Sequence, residues 1–92
     1  MDRETLVEIL QERGYEDSII FENPSYTDAV IGITEEGQVC YSFTKMVECL
    51  VNEDGMDEEE AVEFIDYNTM RALPYCNPSN LRPIVVFDDI FD

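Results

Sequence analysis

The sequence predicts an α+β fold: a small two-layer domain spanning residues 1–92, with helices packed on one face of a mostly antiparallel sheet. Three observations lead to this prediction. Apolar residues recur at helical spacing in three segments, and β-branched runs flank a turn that contains glycine. The apolar fraction of 45% in 92 residues is too high for an acidic disordered tail and suffices for one modest core. The expected order of elements is α-β-β-α-α-β.

The first helix is predicted from about Asp2 to Arg13, where Gly14 can end it in a left-handed turn. Its apolar residues fall on one side: Leu6, Val7, Ile9 and Leu10. The segment 15–26 combines an apolar triplet with Asn23-Pro24-Ser25. This pattern is typical both of a short strand followed by a turn and of a docked loop, and the two alternatives stay open.

A β-hairpin is predicted in the middle of the chain. The β-branched run 29–33 leads into the turn 34–38, which contains Gly37, and strand character resumes over 39–43. The period then changes, because apolar residues from Phe43 to Val51 fall on one helical face. Ser42 can cap this second helix, and Gly55 can end it.

A third helix of about 16 residues is predicted from a capping box at Asp57 and Glu60 to Pro74. After a loop rich in proline, the apolar run Ile84–Phe87 is typical of a strand paired inside a sheet. The last residues, 88–92, are expected to be frayed or peripheral.

The charge is the most informative feature of the composition. The chain has 22 acidic and five basic side chains and no histidine, so its formal net charge is −17. Self-repulsion at this charge density destabilises a compact state, and the acidity therefore suggests a basic partner. Five scattered cations cannot supply the phosphate contacts of a nucleic-acid-binding protein, so direct binding of nucleic acid is not expected.

The acids concentrate in three places: the hairpin tip, the junction of the second and third helices, and the C-terminal end. Glu59, Glu63 and Asp66 stand at i, i+4 and i+7, so on a regular helix they share one face, about 5–6 Å apart, and resemble a ladder of phosphates. The alternative is a solvated helix face whose first-turn acids interact favourably with the helix dipole. The predicted partner-binding acids are Glu35, Glu36, Asp54, Glu58, Glu59, Glu63 and Asp66.

The residues Tyr67–Tyr75 combine aromatic, amide and cationic side chains beside a proline. Arg71 is expected to pair with a carboxylate or with the last turn of its helix, and Asn68 to cap a loop. The alternative is an anchor surface, with Tyr67 and Tyr75 as contact residues, because tyrosine and arginine are enriched in binding hot spots.

Catalysis, cofactors and metals are not expected. The chain has no histidine base, no nucleophile motif and no glycine loop that could hold phosphate. An EF-hand alignment on Gly55 places Leu50 and Ala61 where acidic ligands are required, so a calcium loop fails. The three cysteines lack metal or disulfide spacing, and they are expected to be reduced, with Cys40 and Cys49 in or near the core.

No targeting or membrane signal is recognisable. Residues 1–5 lack the basic start of a secretory signal, and no apolar stretch approaches the ~20 residues that span a bilayer. We therefore expect a cytoplasmic protein with no membrane partner.

The segment 54–75, with its motif from Asp54-Gly55-Met56 to Arg71-Ala72-Leu73-Pro74-Tyr75, resembles short uncharacterised proteins of phages and mobile elements of Gram-positive bacteria. It covers about a quarter of the chain, and this resemblance implies no established activity. Size and charge more loosely resemble acidic phage inhibitors, including anti-CRISPR and anti-restriction proteins, several of which mimic DNA. That likeness implies no functional residue.

Two functions follow as hypotheses. The first is a non-catalytic inhibitor or adaptor whose carboxylates occupy the basic groove of a nucleic-acid-binding protein, such as a host defence nuclease. The second is a small homodimer or subunit in which acidity serves solubility alone. Its sign would be an apolar patch around Tyr67, Met70 and Tyr75.

Overall fold

In the computed structural model, which describes residues 1–76 and 79–91, three α-helices accompany a three-stranded mixed sheet. This part of the chain therefore has the predicted α+β class. The helices and strands are, in chain order, α1 (Arg3–Glu12), β1 (Val30–Ile33), β2 (Val39–Ser42), α2 (Phe43–Asp54), α3 (Glu58–Phe64) and β3 (Ile84–Val86). Short 3₁₀ and π-helical segments, which the sequence did not predict, lie between several of them.

Helix α1 forms as predicted. The Asp2 carboxylate caps its start by accepting a hydrogen bond from the Thr5 N–H at 2.8 Å, and Leu6 and Leu10 are buried. Gly14 follows the helix with a positive φ of 79°, a conformation that glycine adopts without steric cost.

The hairpin is also confirmed. Strand β1 pairs antiparallel with β2, with one irregularity between Val30 and Gly32. The turn closes through hydrogen bonds between Thr34 and Gln38. Gly37 has a φ of 96°, and a Cβ at this position would lie 2.8 Å from the Tyr15 ring. Glycine is required here both for the backbone conformation and for the close approach of the ring.

The undecided segment 15–26 is a docked loop. Tyr15, Ile20 and Phe21 pack against the core, and the backbone N–H of Phe21 bonds to the Tyr41 hydroxyl at 3.3 Å. The Asn23–Pro24 peptide bond is cis. Tyr26, with a left-handed φ of 51°, is buried, and its hydroxyl lies 3.0 Å from that of Thr69. The loop thus connects α1 to the segment that contains Thr69.

Helix α2 has the predicted ends. The Ser42 hydroxyl accepts a hydrogen bond from the Lys45 N–H at 3.2 Å, and Gly55 ends the helix in the left-handed conformation. The buried face carries Met46, Val47, Cys49 and Leu50.

The third helix departs from the prediction. Asp57 caps it as expected, by accepting from the Glu60 N–H at 2.8 Å, but the α-helix ends at Phe64. A π-helical segment, Ile65–Thr69, and a 3₁₀ segment, Met70–Tyr75, follow it. Pro74 lies inside the 3₁₀ segment rather than ending a 16-residue α-helix. A proline ring in an α-helix clashes with the carbonyl four residues earlier, which accounts for the loss of α geometry there.

Strand β3 lies at the edge of the sheet, because the strand order is β1-β2-β3. The prediction of a strand inside the sheet is therefore wrong. Strand β3 also runs parallel to β2, so the prediction of a mostly antiparallel sheet is confirmed for the β1–β2 pair alone. The apolar run of β3 is half-buried, and its last residue, Val86, is 37% exposed.

The core lies around the central strand β2 and the buried faces of α1, α2 and α3. Its buried apolar residues are Leu6, Leu10, Tyr26, Ala29, Val39, Tyr41, Met46, Val47, Cys49, Leu50, Ala61 and Ile65. Cys49 is buried in this core, which confirms its predicted place, whereas Cys40 is half-buried on β2 and does not belong to the core; all three cysteines are free thiols.

Asp88, the first C-terminal residue after the predicted strand, is not frayed, so the frayed alternative predicted for 88–92 is wrong at this position. Asp88 begins a short 3₁₀ turn, and its carboxylate accepts hydrogen bonds from the Thr44 N–H at 3.1 Å and the Thr44 hydroxyl at 2.9 Å. It also accepts one from the Ser42 hydroxyl at 2.5 Å. These bonds fix the residues after β3 to the start of α2. Asp92 lies outside the described residues.

Candidate functional site

The predicted acids of the third helix are all exposed. Glu58, Glu59 and Glu63 lie on α3, and Asp66 lies in the π-helical segment that follows. The regular α-helical geometry on which the predicted row depends therefore ends before Asp66. At the start of α3, a hydrogen bond to Asp57 and repulsion from its carboxylate raise the pKa of Glu60. Part of this rise comes from the negative charges of Asp57 and Glu63, which oppose ionisation of Glu60.

Few carboxylates have a cationic partner. Within residues 1–76 and 79–91, ion pairs join the N-terminal amine to Asp28 at 2.8 Å and Arg3 to Glu22 at 2.7 Å, and no other pair is found. The predicted site acids take part in neither. Their charge is therefore available to an external cation.

A groove between α2 and α3 brings several acids together. It consists of two adjoining cavities of about 580 and 290 Å³, which share Phe43 and Val62 in their lining. We call it the α2–α3 groove. Its apolar floor is formed by Phe43, Val47, Val51, Val62, Met70 and Phe87. Its acidic rim is formed by Glu48, Glu58, Glu63, Asp66 and Asp89, and Thr44 and Asn52 complete the lining.

The residues after β3 form one wall of the groove. The Phe87 ring packs on Phe43 with 5.0 Å between ring centroids, and Asp89 lies on the rim of the larger cavity. Asp88 holds this wall against α2. The hydrogen bonds from Ser42 and Thr44 lower the pKa of Asp88 from its ordinary 3.8 to about 2, so its carboxylate stays ionised at neutral pH.

Four predicted acids lie apart from the groove lining. Glu59 is exposed on α3 but lines neither cavity. Asp54 is the exposed last residue of α2. Glu35 and Glu36 occupy the hairpin turn, where the Tyr15 hydroxyl donates to the Glu35 carbonyl at 2.9 Å. The hairpin turn precedes β2, and α2 follows it. The hairpin acids and the start of α2 therefore lie at opposite ends of β2.

The predicted anchor residues are highly exposed, Tyr67 at 65% and Tyr75 at 87%. Arg71 was expected to pair with a carboxylate or with the last turn of its helix. Among the described residues it forms no ion pair, and its guanidinium lies over the Tyr67 ring, 4.1 Å from the centroid. The Asn68 side chain does not cap a loop; its amide donates to the Phe64 carbonyl at 3.3 Å within the helical region.

Burial changes the acidity of several cysteine and tyrosine side chains. Burial raises the pKa of the Cys49 thiol to about 11 and that of Tyr41 to about 12, so both side chains stay protonated at neutral pH. Burial also raises the pKa of Cys40. In the described part of the chain, no group of three or more acidic or cysteine side chains is arranged to hold a metal ion.

None of the helices in the described ranges is long and apolar enough to cross a membrane. Comparisons with protein-family models, with curated proteins and with solved structures gave no match for this chain.

Sequence reasoning found the acids of α3 but missed the groove. Val51 belongs to the apolar helical face predicted from Phe43 to Val51, yet Val51 and Val62 are 36% and 39% exposed. Nothing in the sequence marks Glu48 as a site residue, because a single acid on a predicted helix is typical of solvated surface. Asp89 was placed in a frayed end. The pairing of β3 with β2 and the contacts of Asp88 create the groove wall, and neither is visible in local sequence patterns.

Proposed function

We propose that this protein is a non-catalytic inhibitor or adaptor that occupies the basic groove of a nucleic-acid-binding protein in the cytoplasm of its host cell. A defence nuclease is the partner class we favour, by analogy with the acidic phage inhibitors that mimic DNA. The observation that carries the proposal is the α2–α3 groove, in which five carboxylates and no basic side chain line two adjoining cavities.

The electrostatic argument begins with the whole chain. A net charge of −17 produces a long-range field that accelerates encounter with a cationic surface and opposes approach to nucleic acid. The two internal ion pairs of the described residues leave this field almost uncompensated. A basic protein groove that normally neutralises phosphates is the complementary surface.

The contact residues we propose are the predicted acids on and near α3 and at the hairpin tip, namely Glu35, Glu36, Asp54, Glu58, Glu59, Glu63 and Asp66. Tyr67 and Tyr75 add apolar contact area, since both are highly exposed, and each has only two side-chain torsions to fix on binding. Glu59 and Glu63, at i and i+4 on α3, stand about 5–6 Å apart, so both can face one cationic surface together.

The experiment is affinity capture from a lysate of a Gram-positive bacterium, repeated across salt concentrations. Three baits are compared: the wild type, the variant Glu59→Gln/Glu63→Gln/Asp66→Asn, and a control with the same net charge. The control, Glu8→Gln/Glu12→Gln/Asp17→Asn, removes three exposed acids near α1 that form no ion pair in the structure.

We expect the wild type and the control to recover a nucleic-acid-binding protein that elutes as salt rises. The α3 variant should bind it with an association rate lowered by about tenfold at low salt. Equal loss in both variants would show that total charge, and not the α3 surface, determines binding. Recovery of the bait alone from every lysate would contradict the proposed function.

The exposure of Tyr67 and Tyr75 favours a second candidate, a homodimer or subunit in which acidity serves solubility. Light scattering of the pure protein separates the two candidates. A stable dimer that Tyr67→Ser or Tyr75→Ser dissociates supports the second, and a monomer at all concentrations supports the first.

A further inference from the structure

We propose that the α2–α3 groove is a docking site for a basic amphipathic helix of the partner protein. This inference rests on the proposed function for the cationic character of the partner. It adds that the apolar floor of the groove binds a helix, whereas the proposed function places the apolar contacts at Tyr67 and Tyr75 alone.

The floor of the groove is the first argument. Val51, Val62 and Phe87 are 36%, 39% and 48% exposed and lie along the same two cavities. Apolar side chains that stay this accessible, surrounded by a polar rim, are typical of interaction sites. The charged residues of the rim are all acidic, so the complementary occupant has an apolar stripe flanked by lysine or arginine.

The lining of the groove favours a helix over an extended segment. The floor and rim come mainly from side chains of α2 and α3, whose backbone groups are bonded within the helices. An extended segment would find few backbone partners there, whereas a helix satisfies its own backbone groups. From Phe43 to Asn52 the α2 wall spans about 13 Å at 1.5 Å per residue, enough for about two turns of a docked helix.

Charge argues against a second copy of this chain as the occupant. A self-complementary contact at the groove would bring two acidic rims together, Glu48, Glu58 and Glu63 of one copy against those of the other. Like charges in such an interface oppose association. A cationic helix places opposite charges at the same positions.

The test uses a fluorescein-labelled synthetic peptide of about four helical turns, with leucine at i, i+3, i+4 and i+7 and lysine elsewhere. A scrambled peptide of identical composition has the same charge but no apolar stripe. Binding to the full-length protein is measured by fluorescence anisotropy at physiological salt.

Val62→Ser removes an exposed aliphatic side chain from the floor, and Ile31→Ser removes one from β1, where the side chain is 50% exposed. Val51→Ser tests the floor from α2 independently. We expect the amphipathic peptide to bind at least tenfold more tightly than the scrambled one. Val62→Ser and Val51→Ser should each weaken its binding about tenfold, and Ile31→Ser should leave it unchanged.

Equal binding of the two peptides, with no effect of Val62→Ser or Val51→Ser, would overturn the inference. If the Glu59/Glu63/Asp66 variant still lost binding in that case, the proposed electrostatic function would stand. Failure of both peptides to bind would also overturn the docking site, while lysate capture would decide the proposed function separately. A dimer dissociated by Val62→Ser would identify a second copy as the occupant and contradict the proposal.

Discussion

The hydrogen bond between Tyr26 and Thr69 is the basis of our most detailed stability prediction. The two hydroxyl oxygens lie 3.0 Å apart, and their residues are 3% and 6% exposed. The bond joins the docked loop to the π-helical segment that carries Asp66. Tyr26→Phe leaves the Thr69 hydroxyl buried without this partner. Thr69→Val likewise leaves the Tyr26 hydroxyl buried without its partner.

Each single substitution should lower the free energy of unfolding by about 1–3 kcal/mol, the cost of a buried polar group that loses its partner. The double variant Tyr26→Phe/Thr69→Val removes both hydroxyls while nearly preserving shape. Its loss should be smaller than the sum of the single losses by about 1 kcal/mol or more, because neither variant side chain leaves a polar atom to satisfy.

Urea unfolding followed by circular dichroism measures all four proteins of this cycle. The midpoint should shift while the slope with denaturant stays constant, since the surface exposed on unfolding hardly changes. Additive losses, with no coupling between the two positions, would refute the reasoning. They would show that each hydroxyl is satisfied by water in the folded protein.

Three further predictions concern single positions. Gly37→Ala should destabilise the protein by about 1–3 kcal/mol, because of the positive φ and the contact with the Tyr15 ring, whereas Gly32→Ala, with open space around its Cβ, should cost less than about 1 kcal/mol in urea unfolding. The pKa of Asp88 is lowered from 3.8 to about 2 in the folded protein, so its stabilisation is complete above about pH 4 and is lost as pH falls towards 2. The stability gap between the wild type and Asp88→Asn should therefore shrink over that window, and a gap independent of pH would contradict the assignment. Cys49, buried and with its thiol pKa raised to about 11, should resist alkylation at pH 8 until the protein is unfolded, and rapid labelling of the native protein would contradict its burial.

The elements that the sequence predicted correctly have local signals. Helix α2 begins at Ser42 and ends at Gly55 because a side-chain cap and a left-handed glycine act within one turn of each end. The hairpin follows from a turn that needs Gly37 at positive φ. The cap at Asp57 is another contact within one turn.

The errors involve contacts between distant residues. The edge position and parallel pairing of β3 depend on its approach to β2, more than forty residues earlier in the chain. The residues after β3 are held in place because Asp88 is hydrogen-bonded to Ser42 and Thr44. Periodicity could not foresee that the third helix changes from α to π geometry at Ile65.

The candidate site likewise has one part that the sequence predicts and one part that depends on contacts between distant residues. The predicted acids on and near α3 are exposed and form no ion pair among the described residues, as the small number of cations in the composition favours. Which acids share a groove depends on the packing of α2, α3 and the residues after β3. Glu48 and Asp89 join Glu58, Glu63 and Asp66 through that packing alone.

Competition with DNA tests the central claim most directly. A nucleic-acid-binding protein recovered by lysate capture is first bound to a fluorescently labelled DNA duplex, and the acidic protein is then added while anisotropy is recorded. Occupation of the partner's basic groove predicts complete displacement of the duplex, weakened by the Glu59/Glu63/Asp66 variant more than by its charge-matched control. A ternary complex that holds the duplex and the acidic protein together would contradict the claim.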